Sequence, residues 1–151
     1  MHVEIATLDL SDHIAEIMKL ANHRDTDWSS PRINKYIRKE GYDILVAIMN
    51  GPVGYAGVHA SGDTKIRERI GSEISDFGQL SWLGVLPEYQ KQGVARLLIA
   101  KAEEWYRQNG KNGFWLGCRE NLLQFYERVG LRLIGQFDEN GKMRYILGKT
   151  L

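Results

Sequence analysis

Seven consecutive residues in this chain could hold an anion: Gln90, Lys91, Gln92, Gly93, Val94, Ala95 and Arg96. They follow an apolar run, Leu80-Ser81-Trp82-Leu83-Gly84-Val85-Leu86, that stops at Pro87, and they lead into a long helical pattern. The first turn of a helix leaves backbone N–H groups unpaired, and the helix dipole adds partial positive charge there. Such an end binds phosphate well. Gly93 lets a ligand oxygen come close to the backbone. Ala95 keeps the next position small, and Lys91 and Arg96 add charge. A glycine among basic residues is also an ordinary way to start a helix, so the stretch alone fits both readings. It lacks the Gly-Lys-Ser/Thr signature with its Mg²⁺-binding hydroxyl, which argues against nucleotide hydrolysis.

Tyr126 is the second candidate. A phenol with a reference pKa of about 10 can give a proton to a leaving group at neutral pH. By its spacing from Leu122, Phe125 and Val129 alone, a core aromatic on an amphipathic helix is the better reading. Other residues read as packing or surface. His2, His13, His23 and His59 have no metal-ligand spacing, so no metal site is expected. Cys118 falls in an apolar strand and reads as a small hydrophobe. Trp28 and Trp82 could line an acceptor pocket, although Trp82 also suits the core. The basic run Lys65-Ile66-Arg67-Glu68-Arg69 is short and reads as a solvated loop.

These candidates need elements to position them. Residues 3–6 read as a strand, followed by a helix capped at Ser11 whose apolar face holds Leu10, Ile14, Ile17, Met18 and Ala21. Residues 23–31 read as a loop, and Ile33, Tyr36 and Ile37 mark a short helix ending near Gly41. Residues 42–49 and 53–60 make a hairpin around Asn50-Gly51. Residues 61–76, charged and without clear period, read as a loop. Residues 79–86 form a nearly continuous apolar strand, expected at the centre of a sheet. The helix over 93–108 buries Val94, Leu97, Leu98, Ala102 and Trp105 and stops at Asn109-Gly110. A strand follows at 114–118. Asn121 caps a short helix, with Gln124 completing a capping box and Leu122, Phe125, Tyr126 and Val129 inward. Strands at 131–137 and 143–147 close a hairpin at Glu139-Asn140-Gly141. The order is mixed α/β, with one strand–helix–strand crossover between antiparallel hairpins.

The chain has 151 residues and a net charge of +1. That size fits one domain, residues 1–151, with a core of its own. The balanced charge predicts no general affinity for nucleic acid or anionic lipid. A lone cysteine rules out an intrachain disulfide and fits a reducing, cytoplasmic setting. No segment is long and apolar enough to span a membrane, and the N-terminus lacks signal-peptide character.

Two motifs resemble a known family. Val85-Leu86-Pro87-Glu88-Tyr89-Gln90-Lys91-Gln92-Gly93-Val94-Ala95 is similar to the acetyl-CoA signature of the GNAT superfamily of N-acetyltransferases, whose core [Arg/Gln]-x-x-Gly-x-[Gly/Ala] is met by Gln90, Gly93 and Ala95. Downstream, Asn121-Leu122-Leu123-Gln124-Phe125-Tyr126-Glu127-Arg128-Val129-Gly130-Leu131 resembles the family's second signature, Asn-x-x-x-x-Phe-Tyr-x-x-x-Gly-Phe. The motifs stand in the family's order and separation, and the element order fits over the whole chain. The resemblance implies a GNAT fold: a mostly antiparallel sheet of about seven strands, splayed at a central parallel pair and flanked by about four helices. It also implies acetyl-CoA as cosubstrate and a possible homodimer.

Roles follow from the resemblance residue by residue. Backbone groups of Leu83 and Val85 would pair with the pantetheine amides, and Asn121 would contact that arm. Backbone N–H groups from Gln92 through Val94 to Arg96 would hold the pyrophosphate, with Lys91 or Arg96 on the phosphates. Tyr126 would face the thioester sulfur and protonate the leaving thiolate, and an N–H near Val85 would stabilise the oxyanion. The amine would attack directly with both substrates bound, largely through proximity.

The base is not marked. Some branches of the family carry Glu where this chain has Gln79, which is no proton acceptor. Asp76, Glu73 and His59 lie nearby and read as solvated. The expectation is an acyltransferase acting on a small-molecule, N-terminal or lysine amine. The alternative is a CoA-binding sensor or regulatory module without turnover, favoured by Gln79 and opposed by Tyr126. A plain interaction domain is opposed by the intact Gln90, Gly93 and Ala95. No motif in 23–31 or 61–76 names the acceptor.

Overall fold

The structure is a computed structural model that describes residues 1–22 and 29–151, apart from the side chains of residues 22, 72 and 73. Trp28, His23 and most of the expected 23–31 loop lie outside the described residues. The strands are β1 (His2–Ile5), β2 (Tyr42–Ile48), β3 (Pro52–His59), β4 (Phe77–Val85), β5 (Gly113–Cys118), β6 (Arg132–Glu139) and β7 (Lys142–Thr150). They form one sheet in the order β1-β2-β3-β4-β5-β7-β6. Among the described strands only β4 and β5 pair in parallel, as expected at the centre. Both predicted hairpins are present. Asn140 and Gly141, with φ of 54° and 83°, turn β6 into β7 through the left-handed region that an Asn-Gly pair accepts readily.

Among the described residues, five helices flank the sheet rather than four: α1 (Ser11–Asn22), α2 (Ser30–Ile37), α3 (Thr64–Ile70), α4 (Val94–Gln108) and α5 (Leu123–Arg128). The extra one, α3, lies inside the expected 61–76 loop and is followed by a 3-10 turn over Gly71–Ile74. Its start is set by Asp63, whose side chain accepts from the N–H groups of Lys65 and Ile66 at 2.9 and 3.3 Å. Ile66 and Ile70, four apart, pack with Ile74 against Phe77, Trp115 and Ile146. The basic run therefore sits on a helix, where Arg67 donates to the carbonyls of Ser61 and Ser75. Residues 30 and 31 belong to α2, because Pro31 suits a first helical turn whose N–H groups lack intrahelical acceptors.

Strand alternation divides the core between the two faces of the sheet. Leu45 and Ala47 turn toward α4, together with Ala56, Leu116 and Leu147. Ile44, Val46 and Tyr55 turn the other way, onto Ile14, Ile17 and Met18 of α1 and Ile33 of α2. The buried stripe of α4 is wider than predicted, since Ile99 and Tyr106 join Val94, Leu98, Ala102 and Trp105, while Leu97 is only half-buried. Ser11 opens α1 with its hydroxyl directed to Asn34, which ties the two N-terminal helices together. Asn121 does not cap α5. It lies in a 3-10 turn over Glu120–Leu122, and that turn leaves Leu122 38% exposed rather than inward.

Candidate active site

The central feature is a gap within the sheet. β4 pairs with β5 only through Phe77↔Gly113, Gly78↔Phe114 and Gln79↔Trp115. Beyond these, β4 runs on to Val85 and β5 to Cys118 with no partner across the gap. The cause lies in β4 itself. Its register with β3 passes from Gly57↔Trp82 to Val58↔Leu80, which leaves Ser81 as an extra residue. A bulge bends its strand and increases the local twist. This one falls where pairing with β5 ends, so β4 leans away and the sheet splays.

The gap opens into a cleft of about 1220 Å³ lined by β4, β5, the start of α4 and α5. Of the residues singled out from the sequence, Leu83, Val85, Gln90, Lys91, Gly93, Val94, Ala95, Arg96, Asn121 and Tyr126 all line it. Trp82 does too, beside Met18 and Ala21 of α1. The side chain of Gln92 turns back, donating to the Glu88 carbonyl at 3.0 Å.

The segment between β4 and α4 is built to leave a helix end bare. Pro87–Tyr89 forms a 3-10 turn, and the Gln90 side chain donates to the Val85 carbonyl at 3.2 Å, pinning the turn to the strand. Lys91 and Gly93 then take left-handed conformations, with φ of 62° and 83°. Gly93 is the N-cap of α4 and offers no side chain to cap it. The first intrahelical bond runs from Leu97 N–H to the Gly93 carbonyl, 3.0 Å, so the N–H groups of Val94, Ala95 and Arg96 precede it. A Cβ placed on Gly93 would meet nothing within 4 Å. The end of a 15-residue helix thus faces the cleft with donors free, small residues around them and two cations beside them.

Tyr126 stands across the cleft on α5. It is only 7% exposed, and burial, reinforced by the neighbouring Cys118, pushes its phenol well above the ordinary tyrosine range. It is therefore protonated at neutral pH. Burial also raises the Cys118 thiol to about 11, with Arg144 pulling weakly the other way, so Cys118 is no thiolate.

The candidate bases fare differently. Gln79 is buried, and its side-chain oxygen accepts from the Asp63 N–H at 2.7 Å, holding the loop before α3. Asp76 is exposed and outside the cleft, and the side chain of Glu73 lies outside the described residues. His59 is not solvated as expected: it is 6% exposed, stacked on Tyr42 at 4.0 Å between centroids, with the Tyr42 hydroxyl 3.2 Å from Nε2. Burial, aided by Lys39 and opposed by Asp63, lowers it to about 4, so the ring is neutral at pH 7 and shares a hydrogen bond with the Tyr42 hydroxyl. The sequence missed it because a polar residue at a strand end resembles surface. Its cover comes from Tyr42, which packs in turn with Tyr36 and Trp82. Among the described residues no group of His, Cys, Asp and Glu could hold a metal ion, and no helix is long and apolar enough to cross a membrane.

Known proteins share this architecture. An aminoglycoside 6'-N-acetyltransferase solved with coenzyme A superposes with a TM-score of 0.80 over 99% of this chain and 97% of its own, at 16% identity. The PaiA N-acetyltransferase of Thermoplasma acidophilum, also solved with coenzyme A, gives 0.74 over 100% of both chains at 15% identity. In sequence, the uncharacterized Bacillus subtilis (strain 168) protein YyaT is 24% identical over 116 residues, 76% of this chain and 70% of that protein. The profile of the Acetyltransferase (GNAT) family matches residues 7–131, most of the chain and every element that builds the cleft except the last hairpin, and the chain belongs to that family.

Proposed function

We propose that the protein is an N-acetyltransferase that moves an acetyl group from acetyl-CoA to a primary amine, both held at once in the cleft. One observation carries the reading: a bare helix end and a protonated tyrosine face each other across a strand pair that has come apart. The residues fit the cosubstrate. The N–H groups of Val94, Ala95 and Arg96 would take the pyrophosphate, with Lys91 and Arg96 adding charge. From Leu80 to Val85 the edge of β4 that faces the gap has no strand partner, so Leu83 and Val85 would offer main-chain groups to the pantetheine amides. Asn121 would reach the same arm from the opposite wall.

Acetyl-CoA supplies an acetyl thioester, an acyl donor with a good leaving group. The cleft's part is to hold the two substrates in line, which can replace a bimolecular encounter. Main-chain N–H near Val85 would meet the developing oxyanion. Tyr126, kept protonated by burial, would donate to the departing thiolate as the C–N bond forms and the C–S bond breaks. No carboxylate or imidazole lines the cleft among the described residues, so the amine's proton would pass to water.

Thermal melting with and without acetyl-CoA tests this. At roughly 100 times its dissociation constant the ligand should add about 2.7 kcal/mol to the parent. A Gly93→Glu variant should melt somewhat lower on its own and gain nothing, because a carboxylate would then occupy the anion position. An unshifted, well-folded parent would refute acetyl-CoA binding. Binding without thiol release on any amine would leave a CoA-binding module.

A further inference from the structure

We infer that Arg144 recognises a carboxylate on the acceptor, so that the substrate is an amine that is also an acid. The inference rests on the acetyltransferase reading above and concerns the other mouth of the same cleft.

The argument begins with charge. The charged residues among the described lining are Lys91, Arg96, Arg119 and Arg144, with no carboxylate. Lys91 and Arg96 belong to the helix end. Arg119 and Arg144 lie on the far side of the gap and share one counter-charge, Glu139, at 2.9 and 3.5 Å. Two guanidinium groups on one carboxylate leave a net positive mouth.

Placement follows from strand alternation. β5 and β7 pair through Gly117↔Ile146 and Cys118↔Tyr145. Ile146 packs with Trp115 on the α3 face, whereas Leu116 and Cys118 pack with Tyr126 on the α4 face. Arg144, two residues from Ile146, shares the α3 face. A cosubstrate with its phosphates on α4 and its sulfur near Tyr126 fills the gap from the α4 face. The acceptor then has the opposite face left to enter by, where Met18, Ala21 and Trp82 line the cleft with Arg144.

Internal packing does not explain Arg144. Its Nε is buried without a hydrogen-bond partner among the described residues, and its tie to Glu139 is long. A buried donor left unpaired destabilises a fold. The chain also keeps room for this side chain: a Cβ on Gly117 would stand 2.4 Å from Arg144 Nε. A planar guanidinium held against the strand, with its side chain still 30% exposed at a cleft, is the usual partner of a carboxylate.

The test pairs amines that differ only in charge. Glycine, β-alanine and γ-aminobutyrate are compared with their carboxamides as acceptors, with thiol release followed at saturating acetyl-CoA. At least one acid should exceed its amide tenfold or more in kcat/KM. Arg144→Gln should bring that ratio close to one while the acetyl-CoA melting shift persists, and Arg144→Lys should recover part of it. The idea is overturned if no acid outperforms its amide, whether by equal rates or by no turnover, or if the preference survives Arg144→Gln. A parent that shows no acetyl-CoA shift fails at the earlier step, and the melt separates that failure from this one.

Discussion

The two ends of β4 are made of similar residues and do opposite things. At its start, Phe77, Gly78 and Gln79 pair with β5, and Gln79 pairs with His59 of β3 as well. Space there is fully used: a Cβ on Gly78 would stand 2.6 Å from the Tyr106 ring and 2.9 Å from the His59 carbonyl. Polar groups there are spent on structure, Gln79 on the loop before α3 and His59 on Tyr42. At its far end, from Leu80 to Val85, one edge is open and leads to Gly93, where a Cβ would touch nothing. The closed end anchors β4 through pairing and packing, and the Ser81 bulge sets the open end apart from it. Substitutions at the closed end should therefore read out as stability, and those at the open end as ligand binding or turnover.

Tyr126→Phe should separate the two ends most widely. Removing a general acid typically lowers the rate by about 10²–10⁴-fold. The ring stays, so packing on α5 should hold, and the melting point and acetyl-CoA shift should change little. Parent turnover should show no loss of Tyr126's proton through pH 10, because burial holds its pKa above that of a free phenol. A variant with near-parental kcat would remove Tyr126 from the chemistry and leave it as a core aromatic.

The next effect belongs to the closed end and is a dependence on pH. His59 titrates near 4 in the folded chain, against about 6.5 when unfolded. Between those values the unfolded chain holds the extra proton, so stability is full above pH 6.5 and falls as pH drops toward 4. The difference corresponds to about 3 kcal/mol. Chemical denaturation across that range should show the loss in the parent, and His59→Phe should flatten it. Parallel acid limbs for the two proteins would mean that His59 is charged in the fold, and that the closed end is wetter than its packing indicates.

The open end was far more legible in the sequence than the closed one. Gln90, Gly93 and Ala95, or Asn121 and Tyr126, line the cleft within a few residues of one another, so local spacing records them. The strands, the hairpins and α4 follow from periods of 2 and 3.6 in the same way. What escaped depends on distant chain. α3 hides because its charged residues mask the Ile66, Ile70 and Ile74 contacts that exist only once β5 and β7 are in place. His59 becomes core only when Tyr42 stacks on it from another strand. The gap itself rests on a single extra residue, Ser81, in a run that reads as one continuous strand. Arg144 shows no periodic signal, and its position follows from the register of β7 against β5.

Gly78→Ala is the smallest change and the most direct test of the division. One methyl group would have to enter space already filled by the Tyr106 ring on one side and the His59 carbonyl on the other. Tyr106 is fully buried and cannot swing out, and the carbonyl belongs to a paired strand. Overpacking of this kind typically destabilises by about 1–3 kcal/mol. In a domain of this size that is a drop of several degrees in melting temperature. The acetyl-CoA increment should survive, since Gly93, Val94 and Ala95 are reached from the other end of the strand. If the melting point falls and the increment is kept, the two ends are separable. If the increment falls as well, the closed end tunes the splay, and a methyl group at Gly78 would be felt at the cofactor through the angle between β4 and β5.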